Sequence, residues 1–161
     1  MKILVAAHQD ELLQKPIDRL SDALRGLGHE AEAFLFPFNV ESPNVTPQFF
    51  GLRLMELNCW SDVFLSLSPI TDVAVHRQKI IWRIADDLVS RAGSSPLNFS
   101  GMNAAIAESR AVFCATKRTQ RAMKGIGVAA RLLPFPSDDD VAWRNAASNL
   151  VQAAVLTPGV A

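Results

Sequence analysis

Short apolar runs alternate along the whole chain with longer segments in which apolar residues recur at helical spacing. The runs are rich in β-branched residues, and the alternation is typical of parallel strands joined by helices. We therefore predict one α/β domain with a Rossmann-like, doubly wound parallel sheet of about six strands. The predicted strands are Lys2 to Ala7, Glu30 to Phe36, Asp62 to Leu67, Lys79 to Ile84, Ala111 to Ala115 and Ala129 to Leu133.

Five helical segments connect or follow these strands. In the first, one stripe is formed by Ile17, Leu20, Leu24 and Leu27, with Pro16 expected near the first turn and Gly26 and Gly28 at the end. A second stripe is formed by Phe50, Leu54 and Leu57, and a weaker third by Met102 and Ile106. A basic helix is expected from a cap at Thr116 to Gly125.

The last stripe follows the acidic segment at residues 138–140, whose carboxylates suit the start of a helix. Trp143, Ala147, Leu150 and Ala154 recur at helical spacing and must pack on an apolar surface. We assign residues 1–137 to the sheet domain. Residues 138–161 are assigned to the acidic segment and a C-terminal helix packed back on the same domain.

Composition excludes several classes of protein. The chain has 16 Lys and Arg against 16 Asp and Glu, with no basic block, which argues against a nucleic-acid partner. No apolar stretch is long enough to span a membrane, and the N-terminal run resembles a first strand rather than a signal peptide, so a cytoplasmic location is expected. Cys59 and Cys114 are expected to be buried free thiols. Three scattered histidines predict no metal site, and no cofactor is expected.

In open parallel sheets, ligands bind beyond the carboxyl ends of the strands. The loops there contain the candidate substrate-binding residues, and no catalytic residue is assigned. The candidates are His8, Gln9, Asp10, Ser68, Asp86, Thr116 and Arg118.

Each candidate also has a structural interpretation. His8 and Asp10 suit acid or base chemistry, or are solvated loop residues. Asp86 and its neighbour Asp87 suit the binding of sugar hydroxyls, or cap a helical turn. Thr116 and Arg118 open a helix that suits an anion, or Arg118 belongs to a solvated face.

Three familiar chemistries are disfavoured. The first loop has no glycine, which argues against a dinucleotide or P-loop site. The third strand is followed by Ser68 and Pro69, where a receiver domain would need a phosphate-accepting aspartate. No Gly-x-Ser-x-Gly elbow of a hydrolase occurs.

Several segments resemble a known family. They are the opening Met1 to Leu4, Gly28 to Glu30, Phe50 to Leu54, Trp60 to Val63, Pro69, Val75-His76, Lys79 to Trp82, Ala107 to Thr116 and Leu133 to Pro136. Together they resemble the N-terminal domain of retaining glycosyltransferases of the GT-B fold, family 4, over residues 1 to about 137. The Trp143 helix resembles the terminal helix that in this family crosses back onto the first domain.

The resemblance implies an acceptor-binding lobe. In the family, a second domain binds the nucleotide-sugar donor, and its usual pair of glutamates eight positions apart does not occur in this sequence. The glycine loop after the first strand is replaced by residues 8–15, and the histidine of the family's cleft by Ala85 followed by Asp86. Whether the chain is an enzyme is therefore left open.

The resemblance leads to one main function and two alternatives. The main hypothesis is a glycosyltransferase-like acceptor lobe that binds a glycan or nucleotide sugar and needs a separate donor-lobe protein. The first alternative is a non-catalytic binding or scaffold protein, and the second is a small-molecule binder on a flavodoxin-like sheet. Because the surface facing a second lobe should be partly apolar, a partner or a homo-oligomer is expected.

Overall fold

The computed structural model describes residues 1–8, 11–36, 48–67, 79–84, 106 and 108–156. Within them, six parallel strands form one sheet in the order β2-β1-β3-β4-β5-β6. The strands are β1 (Lys2–His8), β2 (Glu30–Phe36), β3 (Val63–Ser66), β4 (Ile80–Ile84), β5 (Ala111–Cys114) and β6 (Arg131–Leu132). The helices are α1 (Glu11–Gly26), α2 (Gln48–Trp60), α3 (Lys117–Gly125) and α4 (Asp140–Leu156). The predicted α/β class with an all-parallel sheet is confirmed.

Side chains alternate between the two faces of the sheet, as the period of a strand requires. Val5, Leu65 and Phe113 point to one face, whereas Leu4 and Phe64 point to the other. Both sets are fully buried, so each face must be covered by other elements. This is the packing of a doubly wound sheet.

Helices α1 and α4 cover the first face together. Leu20 and Leu24 of α1 pack in one core cluster with Trp143, Ala147 and Leu150 of α4. Every residue of the stripe predicted in the last helix is buried, and Trp143 is only 3% exposed. The prediction that this helix packs back on the sheet is therefore confirmed.

The second face has its own core cluster. Leu57 of α2, Met123 of α3 and Ile106 pack there against Phe64 and Trp82 of the sheet. The side chains of Phe50 and Leu54, and the whole of Met102, lie outside the described residues. The second and third predicted stripes are thus represented here by Leu57 and Ile106.

Two local predictions were wrong. Helix α1 begins at Glu11, so Pro16 lies inside it rather than near its first turn. Pro16 costs the helix one hydrogen bond because it has no N–H, and the full burial of the following Ile17 offsets that cost. Cys114 is buried as expected, but Cys59 is exposed, because Leu57 and Asn58 are the residues of this turn of α2 that face the protein.

The strand bounds agree with the prediction within two residues, and β2 agrees fully. No helix in the described part of the chain is long and apolar enough to cross a membrane. Gly26 ends α1 as predicted, and Gly28 follows with φ +86°, a backbone conformation that favours glycine.

Candidate binding site at the carboxyl edge of the sheet

The strand order reverses between β1 and β3, which lie side by side although α1, β2 and α2 separate them in sequence. In open α/β sheets this reversal opens a crevice at the carboxyl ends of the strands, where ligands bind. His8 is the last residue of β1, and Leu67 follows β3 with its N–H donated to the carbonyl of Ala6 at 2.9 Å. The backbone thus brings the carboxyl ends of β1 and β3 to one edge.

Most of the predicted site residues lie outside the described part of the chain. They are Gln9, Asp10, Ser68, Asp86 and the side chain of His8. Their roles as candidate binding residues stay predictions. The carboxyl edge is described in detail at β4 and β5.

The predicted helix cap, Thr116, follows β5. The N–H of Ala115 donates to the carbonyl of Ile84 at 2.9 Å, so the ends of β4 and β5 lie together. Thr116 then adopts an extended backbone, and its Oγ1 accepts a hydrogen bond from the N–H of Thr119 at 3.3 Å. This confirms the N-cap of α3.

The start of α3 presents positive charge at this edge. Lys117 and Arg118 are both exposed in the first turn, which contains no acidic residue. The N-terminus of a helix also carries the positive end of its dipole. Thr116 and Arg118 are therefore brought together in a place that suits an anionic or hydroxyl-bearing group.

Arg83 is a residue of this edge that sequence reasoning missed. It lies one residue before the end of β4 and is only 8% exposed. Its Nε donates to the backbone carbonyl of Leu133 at 3.1 Å, which helps satisfy a charge that would otherwise be costly to bury. The signal was a single arginine inside the apolar strand Ile80–Ile84.

The guanidinium of Arg83 also stacks on an aromatic ring. Its central carbon lies 3.3 Å from the centroid of the Phe135 ring, and that ring lies 5.1 Å from the ring of Trp143 at an interplanar angle of 41°. These contacts connect β4 to the segment between β6 and α4. Arg83 therefore positions the chain beside the carboxyl edge.

Ion pairs hold the beginning of α4 against α1. Lys15 pairs with Asp138, and Arg19 pairs with Asp140. The hydrogen bond and charge of Lys15 lower the pKa of Asp138 below its ordinary value of 3.8, and Arg19 adds a smaller effect in the same direction. The acidic segment predicted to begin the helix thus also joins two helices.

The described part of the site is rich in positive charge. Its exposed cations are Lys117 and Arg118, and its buried cation Arg83 contacts a carbonyl and a ring. Within residues 1–8, 11–36, 48–67, 79–84, 106 and 108–156, no three His, Cys, Asp or Glu side chains are grouped so that they could hold a metal ion. The class that the fold and this edge define is a Rossmann-like α/β protein with a candidate binding edge.

Comparison with known proteins does not narrow this class. No protein-family model matches the chain, and no curated protein matches it significantly.

Proposed function

We propose that the chain is the acceptor-binding lobe of a GT-B-type glycosyltransferase and that it works with a donor-binding lobe outside these 161 residues. The observation that carries the proposal is the return of α4 across the sheet to α1, with Trp143 buried between them. In the family that the sequence resembles, the terminal helix crosses back onto the first domain in this way. The segments that carry the resemblance extend over residues 1 to about 137.

The carboxyl edge supplies chemistry that suits such a lobe. Acceptor recognition needs hydrogen-bonding groups that are held in place, and the capped start of α3 provides Thr116 beside the exposed cation Arg118. Arg83 acts as a positioning residue because it anchors the Phe135 segment next to this edge. The proposed role of this lobe is to bind and orient the acceptor, while the donor lobe supplies the activated sugar.

The proposal is tested by calorimetric titration of the full chain with two panels, one of oligosaccharide acceptors and one of nucleotide sugars. We expect saturable binding of at least one oligosaccharide and weak or no binding of the nucleotide sugars. Arg118→Gln should weaken oligosaccharide binding by roughly tenfold if the cation contacts the acceptor, since one charge-assisted hydrogen bond is worth about that factor. Arg144→Gln removes an equally exposed charge from α4 and should leave binding unchanged.

Two results would count against the acceptor lobe. One is the absence of binding across both panels. The other is tight binding of a nucleotide sugar with no oligosaccharide binding, which would assign donor recognition to this chain. If the affinity for the oligosaccharide falls equally in Arg118→Gln and Arg144→Gln, the oligosaccharide binds away from α3.

A second candidate function is a non-catalytic scaffold that associates through α2. Leu52 and Met55 lie three residues apart on this helix and are 62% and 59% exposed, with exposed Cys59 one turn further. Exposed apolar side chains on one helix face favour protein association. Light scattering over a range of concentrations measures the molar mass in solution and so tests self-association. A molar mass that stays at that of one chain, and that is the same for Leu52→Gln/Met55→Gln, would reject self-association through this face.

A further inference from the structure

A second cluster of polar residues lies away from the carboxyl edge. A groove of about 660 Å³ runs between α3 and the β5–β6 end of the sheet, and we call it the basic groove. Arg110 precedes β5 and Arg131 begins β6, so the groove opens toward the amino ends of these strands. Its charged lining residues are Arg110, Arg121, Lys124 and Arg131.

Positive charge dominates the described residues around the groove. None of the described residues that line it is acidic, and the segment 108–131 contains six Lys and Arg against one Glu, although the whole chain has a net charge of zero. Within the part of the chain that the structure describes, no ion pair joins any of the four cations to a carboxylate. The cations repel one another, and a bound anion would relieve that repulsion.

One of the groove's arginines has a buried donor that lacks an acceptor. The Nε of Arg110 is buried and has no hydrogen-bond partner. Leaving a buried charged donor unsatisfied is unfavourable. Because this Nε is closed off from the open groove, Arg110 gains this hydrogen bond only by turning its side chain toward a bound anion.

The walls of the groove are held in place. Gln120 of α3 donates from Nε2 to the carbonyl of Ala130 at 2.8 Å, which ties the helix to the segment before β6. Ala129 and Ala130 are small, so the lining stays open between the long cationic side chains. A concave site held in this way needs little rearrangement to bind.

We propose that the basic groove binds a small molecule carrying two or more phosphate groups. Its volume lies in the range of roughly 300–1,000 Å³ typical of small-ligand sites. Arginine forks match the geometry of phosphate oxygens, and three of the four cations are arginines. The site is distinct from the carboxyl edge, so it does not depend on the proposed acceptor lobe.

The probe for this site is inorganic tripolyphosphate, titrated into the full chain by calorimetry at constant ionic strength. We expect saturable binding at one site that weakens as salt is raised. Arg121→Gln/Lys124→Gln should reduce affinity by about tenfold or more, since each removed cation takes away a charge-assisted contact. Both residues are exposed, so the variant should remain folded, which circular dichroism checks.

Two further variants separate specific binding from general charge. Arg53→Gln/Arg144→Gln removes the same charge from exposed positions on α2 and α4, outside the groove, and should leave affinity within about twofold. Arg110→Lys keeps the charge but loses the Nε donor, and should weaken tripolyphosphate binding by roughly tenfold. Equal losses in the two double variants would overturn the proposal.

The remaining comparisons distinguish the sources of phosphate. Vesicles of phosphatidylcholine with phosphatidic acid test a lipid headgroup, and a single-stranded DNA oligonucleotide tests a nucleic acid. Tripolyphosphate binding that is lost in Arg121→Gln/Lys124→Gln supports the proposal. No tripolyphosphate binding, binding to vesicles alone, or tighter binding of the oligonucleotide than of tripolyphosphate would each overturn it.

Discussion

The guanidinium of Arg83 lies over the ring of Phe135, with 3.3 Å between its central carbon and the ring centroid. Arg83 belongs to β4, whereas Phe135 lies in the connection between β6 and α4. The same arginine donates to the carbonyl of Leu133, two residues before Phe135. One side chain of the sheet therefore fixes the direction in which the chain leaves β6 and enters the last helix.

We expect Arg83 and Phe135 to be energetically coupled. In a double-mutant cycle of Arg83→Met and Phe135→Leu, chemical denaturation should give a coupling free energy of about 1–2 kcal/mol, as expected for a desolvated cation over an aromatic face. As a control, Arg53→Met with Phe135→Leu should be additive within about 0.5 kcal/mol, because Arg53 is exposed on α2, which packs on the other face of the sheet. Additivity in the Arg83 cycle would show that the stack contributes nothing to stability.

Trp143 should be the main anchor of α4. Its side chain is 3% exposed within the core cluster, so Trp143→Ala should lower the free energy of unfolding by about 3–5 kcal/mol. Its Nε1 is buried without a hydrogen-bond partner, so Trp143→Phe removes an unsatisfied donor and should cost clearly less. Urea denaturation of both variants measures the difference. The exposed neighbour Val141 offers the control, since Val141→Ala should change stability by no more than about 0.5 kcal/mol.

The Lys15–Asp138 pair should make stability depend on acid pH. The pKa of Asp138 is lower in the folded protein than its ordinary value of 3.8, so its ionised form stabilises the folded state above that pH. This contribution should be lost as the pH falls from 3.8 through the lowered value. The stability difference between the unmodified chain and Asp138→Asn should therefore be constant near neutrality and should vanish in acid.

Removing Lys15, the ion-pair partner of Asp138, tests whether Asp138 causes this acid dependence. Lys15→Gln should remove most of the acid dependence that Asp138 contributes, because Lys15 is the main cause of the lowered pKa. Lys117→Gln removes an equal charge far from this pair in sequence and should leave the dependence in place. An unchanged acid profile in Lys15→Gln would contradict the assignment. Because both partners are exposed, high salt should reduce the whole effect.

Gly28 and Gly26 allow the same substitution to be compared at two different backbone conformations. Gly28 has φ +86°, and a Cβ at either position would meet no heavy atom within 4 Å. Gly28→Ala should therefore destabilise the protein by about 1–2 kcal/mol through backbone strain alone. Gly26→Ala, at the end of α1, should be neutral or stabilising by up to about 1 kcal/mol. Equal thermal stability of the two variants would contradict this explanation.

The pattern of apolar residues predicted the sheet and the terminal helix because both depend on local periodicity. The short apolar run Leu4-Val5-Ala6 and the stripe from Trp143 to Ala154 are visible in one dimension. Their burial follows from that pattern together with the need to cover both faces of the sheet. The cap at Thr116 was equally local, since it needs only a hydroxyl before a helical run.

Pro16 and Cys59 were misjudged for a common reason. The start of α1 and the orientation of α2 depend on which neighbours cover them, and a residue's own type does not specify those neighbours. Packing against the sheet overrides the local preference of proline, and it turns Leu57 rather than Cys59 inward.

The sequence by itself determined the α/β class, the parallel sheet and the return of the last helix, because hydrophobic periodicity and capping act over a few residues. Only the tertiary structure decided that Arg83 meets Phe135 across 52 positions of the chain and that Arg110, Arg121, Lys124 and Arg131 surround one groove. Such contacts between residues far apart in sequence depend on strand order and on the path of the chain between strands. A neutral total charge carries no information about where the charges gather in space.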